Sequence, residues 1–505
     1  MKLLIRADAS IQMGTGHLMR CLALAQAVKA QGGSAYFAIV SCPSALLKRL
    51  ENEGFTICLL DSIESGSSRD AQETADLVQN LCCQWICVDG YQFSADYQQS
   101  VKGLGCRSLF LDDYGHASFY SADLILNQNI SAHDRYYQHR HFETELLLGT
   151  RYTLLRQEFL AYQKGQRRIS NVVRNILITL GGSDPKNVTT WILDSLQTID
   201  IPGLTITIII GAANPHRDSL EACAMRSIYP VKLVWNATNM PDYIAAADLA
   251  ISAGGSTIWE LLMLGLPNII VTLADNQVAI AQSLHEQEVS VSLGSHNSLE
   301  ATQLASVVQK ICISVEQRQR MSAKGQDLID GDGCDRVLMA MEGDTIRLRP
   351  AKWQDCEQIW QWANEAITRK SSFQSAAISW EQHVRWFKAK VQNVNGNFWI
   401  ALDRQDQPIG QVRFDPLSTE TTQISLSIDR NYRHQGLGKA VLKAAIRKIF
   451  CETAFLSISA WIKLENIASI SVFESVQFVK IETEYKEREM ALHYQLRKPM
   501  REEIG

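Results

Sequence analysis

The 505-residue sequence predicts an α/β protein of two successive parallel α/β layers followed by a third, mixed α/β domain. Three observations predict it. Short apolar runs of strand length alternate with helix-spaced apolar residues up to about residue 335. Small glycine-rich turns recur where such a strand hands over to a helix, at Gly14–Gly16, Gly181–Gly182 and Gly254–Gly255. Composition then changes, with six of the eleven tryptophans between residues 353 and 399. Domains are expected at 1–160, 170–340 and 343–505, joined by polar stretches at 163–168 and 341–344.

Composition narrows the function classes. A hydrophobic content of 46% with 20% charged residues describes an ordinary globular chain. A net charge of −5 and a pI near 6.2 leave no basic footprint, so no nucleic-acid partner is expected. The longest apolar runs, Leu204–Ile210 and Ile269–Leu273, are strand-sized, so no membrane insertion is expected. Arg6 and Asp8 interrupt the first residues, so no signal peptide is expected. Twelve cysteines without CxxC pairs read as reduced thiols and argue against a metal site. A cytoplasmic location follows as an expectation. Oligomeric state is not legible.

In the first domain, Leu3-Leu4-Ile5 reads as a buried strand, and Leu18, Cys21, Leu22, Ala25 and Val28 fall on one face of the helix after it. Gly14, Gly16 and His17 lie between them. Glycines let backbone amides approach a ligand, and a histidine at the helix start is a proton-transfer candidate. A tight turn with a capping histidine is the plain structural alternative. Strands follow at Ser34–Val40, Thr56–Leu60, Trp85–Val88 and Ser108–Leu111. In parallel sheets ligands sit at the carboxyl ends of strands. Asp89-Gly90-Tyr91 and Asp112-Asp113-Tyr114-Gly115-His116 therefore share a rim with His17.

In the second domain, strand Asn175–Leu180 runs into Gly181-Gly182-Ser183-Asp184-Pro185. Strand Leu249–Ser252 ends in Ala253-Gly254-Gly255-Ser256, with a helix from Thr257 to Gly265, Pro267 beyond it, and strand Asn268–Thr272. Unhindered amides and two hydroxyls suit a diphosphate. Glu260, on the first helical turn, is placed to accept hydrogen bonds from two ribose hydroxyls. Its plain alternative is a carboxylate that favours a helix start.

Together these pieces resemble the glycosyltransferase-B architecture of two Rossmann-like domains, and within it the UDP-sugar hydrolases of pseudaminic-acid biosynthesis. Arg6-Ala7-Asp8, Gly14-x-Gly16-His17-x-Met19-Arg20-Cys21, Asn239-Met240, Ala247–Ile251 and Asp275-Asn276-Gln277 carry the resemblance, over about residues 1–335. It implies metal-free release of UDP from a UDP-linked diacetamido sugar by water. His17 is then the general base, and Tyr91 and Asn276 lie near the sugar. Gly14, Gly16, Gly182, Ser183, Gly254, Gly255, Ser256, Thr257, Glu260 and Gln277 complete the expected substrate site.

In the third domain, Thr345–Arg349 reads as a strand and Trp353–Ala366 and Ser379–Val391 as helices. Strands are expected at Phe398–Leu402, Ile409–Phe414 and Gln423–Ile428, and a helix at Lys439–Phe450. Arg433-His434-Gln435-Gly436-Leu437-Gly438 separates the last two, and Glu465-Asn466-x-x-Ser469-x-x-x-Phe473-Glu474 follows. This pattern resembles the GCN5-related N-acetyltransferases (GNAT). The resemblance implies that acetyl-CoA is the co-substrate, its pyrophosphate held by the loop amides. Ile428, Arg433, Gln435, Gly436, Gly438, Lys439 and Asn466 are the expected cofactor contacts. Phe473 stands where many relatives carry the tyrosine that protonates the CoA thiolate, which leaves Tyr485, Tyr494 or water as the general acid.

The combined expectation is a bifunctional enzyme. One part acetylates the 4-amino group of a UDP-linked amino sugar, and the other hydrolyses the diacetamido product. The rivals are a UDP-sugar glycosyltransferase fused to an acyltransferase, with a hydroxyl acceptor in place of water, and a non-catalytic sugar-nucleotide sensor.

Overall fold

Strands whose residues are apolar on both faces need cover on both faces, and here they receive it from flanking helices. The computed structural model describes residues 1–505 except 11–12, 62, 103–104, 163–166, 212, 344–345, 393–396, 404, 434, 487–488 and 499–505. Its contacts divide the chain into Met1–Leu338 and Met339–Gly505. The polar stretches read as linkers lie partly outside the described residues, at 163–166 and 344–345.

The first unit contains two parallel sheets. Strands β1 (Lys2–Ala7), β2 (Ser34–Ile39), β3 (Thr56–Leu59), β4 (Trp85–Asp89), β5 (Arg107–Leu111), β6 (Leu124–Asn127) and β7 (Glu145–Leu148) stand in the order β3-β2-β1-β4-β5-β6-β7. Strands β8 (Asn175–Thr179), β9 (Thr205–Ile210), β10 (Val231–Trp235), β11 (Leu249–Ser252), β12 (Asn268–Thr272) and β13 (Val291–Ser295) stand in the order β10-β9-β8-β11-β12-β13. Strand order reverses between β1 and β4 in one sheet and between β8 and β11 in the other. A crevice therefore opens beyond the carboxyl ends of each pair.

Strands β6, β7, β10 and β13 go beyond those read from the sequence. Two of them, β10 and β13, are edge strands of half-buried residues, so they lack the continuous apolar run that marks a central strand. Beneath the first crevice, Arg6 is fully buried and bonds both Asp70 oxygens, at 2.9 and 2.8 Å, with Asp8 2.8 Å away. Asp8 in turn accepts from the Val40 and Ser41 amides, tying the end of β1 to the end of β2. The charges are paired and hydrogen-bonded, as burial requires.

The second unit is one mixed sheet. Strands β14 (Arg347–Pro350), β15 (Phe398–Leu402), β16 (Pro408–Pro416), β17 (Thr421–Ile428), β18 (Ser457–Lys463), β19 (Val479–Lys486) and β20 (Glu489–Arg497) stand in the order β14-β15-β16-β17-β18-β20-β19. Thr345, expected to start the first strand, lies outside the described residues. The expected helix 353–366 is a 3₁₀ turn, Trp353–Asp355, and a shorter helix, Cys356–Asn364. Strands β17 and β18 are parallel and pair only where Thr421–Gln423 meet Ser457–Ser459. Among the described residues the ladder stops there, leaving a fork between Ile424–Ile428 and Ala460–Lys463.

Candidate active site

Helix α1 (Gly16–Ala30) starts directly after the glycine turn, so His17 and Arg20 sit one turn apart on one face. Asp89 closes β4, the neighbour of β1 across the switch point. The three meet. His17 Nδ1 lies 2.6 Å from Asp89 Oδ1, and Arg20 donates to both Asp89 oxygens, at 2.6 and 2.8 Å. A carboxylate only accepts, so the neutral imidazole carries its proton on Nδ1 and leaves Nε2 with the lone pair. Burial would raise the Asp89 carboxyl, but the Arg20 charge and His17 hold it well below the usual carboxylate range. Asp89 is therefore anionic around neutral pH.

The network continues outward. Arg20 Nη1 donates to Asp113 at 2.8 Å, Asn129 donates to Asp113 at 2.7 Å, and the Tyr91 hydroxyl donates to Asp113 at 2.6 Å. Tyr91 packs edge-on against His17, ring centroids 5.0 Å apart. Burial and Asp113 both push the Tyr91 phenol up, so it stays a donor. Asn276, from the turn after β12, donates to the Tyr91 hydroxyl at 3.1 Å. The adjacent aspartates divide their work. Asp112 accepts from the Tyr114 and Gly115 amides, at 2.7 and 2.6 Å, and from His116, shaping the loop rather than facing the cluster.

The loops of the second sheet close on the same space. A Cβ on Gly182 would sit 2.5 Å from the Thr15 hydroxyl, and one on Gly16 would sit 3.2 Å from Ser256 Oγ. Glycine at 182 is thus required by the Thr15 side chain packed against it. A cavity of about 1270 Å³ lies between these loops. His17, Tyr91, Ser183, Thr257, Glu260 and Asn276 all line it, together with Gly14, Gly16, Gly182, Gly254, Gly255, Ser256 and Gln277. Every residue expected from the sequence for the first unit's site reaches that one cavity.

Glu260 has a partner the sequence did not disclose. Arg156 donates twice to Glu260 Oε1, at 2.7 and 3.3 Å, and also to Glu158 at 2.7 Å. Burial pushes the Glu260 carboxyl up, and the Arg156 charge opposes it. Arg156 sits over 100 residues before Glu260, so no local pattern marks the pair. Asp89, Arg20 and Asp113 had a signal, a rim position and an i, i+3 spacing, though not their bonds. Glu260→Ala is expected to weaken UDP binding by about 1–3 kcal/mol, the scale of lost charge-assisted hydrogen bonds. Calorimetry with UDP checks this, and an unchanged affinity makes Glu260 a helix-start carboxylate braced by Arg156.

In the second unit, helix α2 (Leu437–Glu452) follows Gly436, which has a left-handed φ of 75°. Gly438 is open, its nearest neighbours for an added Cβ being Val472 and Ile428 at 3.8 and 3.9 Å. The loop thus meets the end of β17 where Gly438 lies beside Ile428. Arg433 points back instead of outward. Its Nε donates to the Ile428 carbonyl at 3.0 Å, and Nη2 donates to Glu365 at 2.9 Å. Gln435 donates to the Asn431 carbonyl at 3.0 Å, and Asn466 caps helix α3 (Ile467–Glu474) by accepting from the Ser469 amide. His434 lies outside the described residues. Phe473 is buried against Phe478. The Tyr494 hydroxyl donates to Glu474 at 2.7 Å, and burial and Glu474 push it up to about 12; Tyr485 is exposed.

Comparison with known proteins agrees with this division. Residues 175–333 match the glycosyltransferase family 28 C-terminal domain, and residues 345–479 match the acetyltransferase (GNAT) domain. The chain is 25% identical over 498 residues to an uncharacterized protein of Methanocaldococcus jannaschii, covering 95% of this chain and 97% of that one. It is 25% identical over 293 residues to UDP-2,4-diacetamido-2,4,6-trideoxy-beta-L-altropyranose hydrolase of Campylobacter jejuni subsp. jejuni, covering 58% of this chain and 98% of the hydrolase. A crystal structure of MurG from Acinetobacter baumannii aligns with a TM-score of 0.48 and 15% identity, over 68% of this chain and 100% of that one. The chain therefore joins a glycosyltransferase-B-like pair of Rossmann-like domains to a GNAT domain. No helix among the described residues is long and apolar enough to cross a membrane.

Proposed function

We propose that the chain is a bifunctional sugar-nucleotide enzyme with two consecutive activities. Its first unit hydrolyses a UDP-linked 2,4-diacetamido-2,4,6-trideoxy sugar to the free sugar and UDP. Its GNAT domain acetylates the 4-amino group of the UDP-linked precursor with acetyl-CoA. The observation that carries the first activity is the His17–Asp89 pair opening into the cavity that Gly254–Thr257 and Glu260 also line. The hydrolase relative, aligned over 98% of its own length, supports the substrate class.

In this reading His17 Nε2 takes a proton from water as the water oxygen attacks the anomeric carbon. The C–O bond to UDP breaks, and the electron pair leaves with the diphosphate. Backbone amides at Gly254–Ser256 face the charge that develops there. Asp89 fixes the tautomer and stabilises the imidazolium that forms, as an orienting carboxylate does for a catalytic histidine. Arg20 fastens Asp89, and Tyr91 with Asn276 borders the sugar. Acetyl-CoA would be held at the Gly436–Gly438 loop and the fork, where it supplies the acetyl group as a thioester.

The match to a glycosyltransferase domain keeps one rival in view, transfer of the sugar to a hydroxyl acceptor. Incubation with the diacetamido UDP-sugar alone separates them. Stoichiometric release of UDP and free sugar is expected, read by mass spectrometry. UDP release that requires an added hydroxyl acceptor makes the enzyme a glycosyltransferase, and binding without turnover makes it a sensor.

A further inference from the structure

Side chains of the GNAT sheet alternate between two faces. Ile424, Ile458, Ala460 and Tyr494 turn toward the core shared with α2 and α3. Ser425 and Ser427 of β17, Ser459 and Trp461 of β18 and His493 of β20 alternate with them and take the opposite face. Ser459 is the last β18 residue paired to β17, so it stands at the apex of the fork. His493 Nε2 lies 3.2 Å from Ser459 Oγ. The imidazole stacks on Trp461, centroids 4.4 Å apart and planes 5° apart. Its Nδ1 lies 3.7 Å from a Glu482 oxygen and 3.9 Å from a Glu484 oxygen. Glu484 itself accepts the Trp461 indole N–H.

Unmet polar groups gather on this face. Gln411 Oε1, Ser427 Oγ and His493 Nδ1 are buried without a hydrogen-bond partner, and Gln411 is only 8% exposed. Gln411 and Ser427 are register partners across β16 and β17, on the same face of the sheet as Ser459. Buried polar groups without partners are costly, and a polar ligand laid on this face would satisfy them.

An acetyltransferase acting on an amine must first remove a proton from the ammonium. The fork-facing residues of β17 are serines and cannot hold it. Asp415 is engaged with Lys390 and Arg413, Asp429 with the Trp362 indole, Glu365 with Arg433, Glu474 with Tyr494 and Glu484 with the Trp461 indole, while Glu482 is exposed and faces the far nitrogen of His493. Histidine is the side chain suited to exchanging a proton near neutrality.

We propose that His493, acting through the Ser459 hydroxyl, is the proton acceptor for the amine substrate of the GNAT domain; this rests on the acetyltransferase reading above. The ammonium gives one proton to Ser459 Oγ as the Ser459 proton passes to His493 Nε2. The neutral amine then attacks the thioester carbonyl, a C–N bond forms and the C–S bond breaks. The second amine proton goes to the departing thiolate, giving CoA, and His493 returns its proton to solvent. Glu482 and Glu484 face the imidazolium, while Lys486 lies over Trp461 and Lys463 is paired with Glu489 on the same side.

The test uses the full chain, acetyl-CoA and a UDP-linked 4-amino-4,6-dideoxy sugar, with acetylated product read by mass spectrometry across pH. His493→Gln keeps a hydrogen bond to Ser459 but cannot accept the proton. At neutral pH it is expected to lose about 100-fold in kcat, the lower scale of general-base catalysis. CoA affinity by calorimetry should match wild type, which shows the fork intact. The deficit should shrink as pH rises toward the amine's own ionisation, where no base is needed. Ser459→Ala should show the same trend. A deficit equal at every pH, or none, overturns the proposal. Activity lost to a chelator and restored by Zn²⁺ would make His493, Glu482 and Glu484 a metal site and also overturn it. A wild-type protein that binds CoA yet acetylates no amine overturns the acetyltransferase reading itself.

Discussion

His17→Ala leaves UDP binding intact and lowers the rate of UDP-sugar hydrolysis by about 100-fold or more, the scale of a lost general base. The fold should tolerate the change. Removing the imidazole deprives Asp89 of one partner, but Arg20 still bonds both of its oxygens, so no buried charge is left unpaired. Acetyl transfer should be unchanged, because His17 belongs to the first unit and the GNAT loop to the second. Asp89→Asn is the companion measurement. It should lower kcat while KM holds, since an amide no longer forces the Nδ1–H tautomer. Steady-state hydrolysis and calorimetry with UDP read both variants. Near wild-type turnover in His17→Ala would place the base elsewhere in the cavity.

Gly436→Val abolishes CoA binding and acetyl transfer while hydrolysis of the diacetamido UDP-sugar continues. The reason lies in the backbone more than in crowding. An added Cβ at 436 would meet nothing within 4 Å, but the residue has φ 75°. An L-residue in that region costs about 1–2 kcal/mol, and a β-branched one is a genuine outlier there. Relaxing the strain turns the 436–438 amides away from the place where they would meet a pyrophosphate. Calorimetry with CoA checks the first half, and UDP release checks the second. Retained CoA affinity would show that the phosphate contacts lie outside this loop.

Sequence alone determined the layers and picked out residues that line one cavity, because both depend on local chemistry. Continuous apolar runs such as Leu3–Ile5 and Asn268–Thr272 can be stable only where both faces are covered. Small residues at Gly14–Gly16 and Gly254–Ser256 mark turns where backbone borders the cavity. That pattern puts His17 and Glu260 beside the turns whose cavity they line.

Only the tertiary structure decided the partners. Asp89 reaches His17 across 72 residues, and Arg156 reaches Glu260 across 104. Such pairs depend on which strands become neighbours, and neither periodicity nor spacing encodes strand order. The same holds in the GNAT domain, where Arg433 turned inward to Glu365 and His493 met Ser459 across two strands. A strand's sequence fixes the alternation of its faces; the fork between β17 and β18 arises only when the sheet assembles.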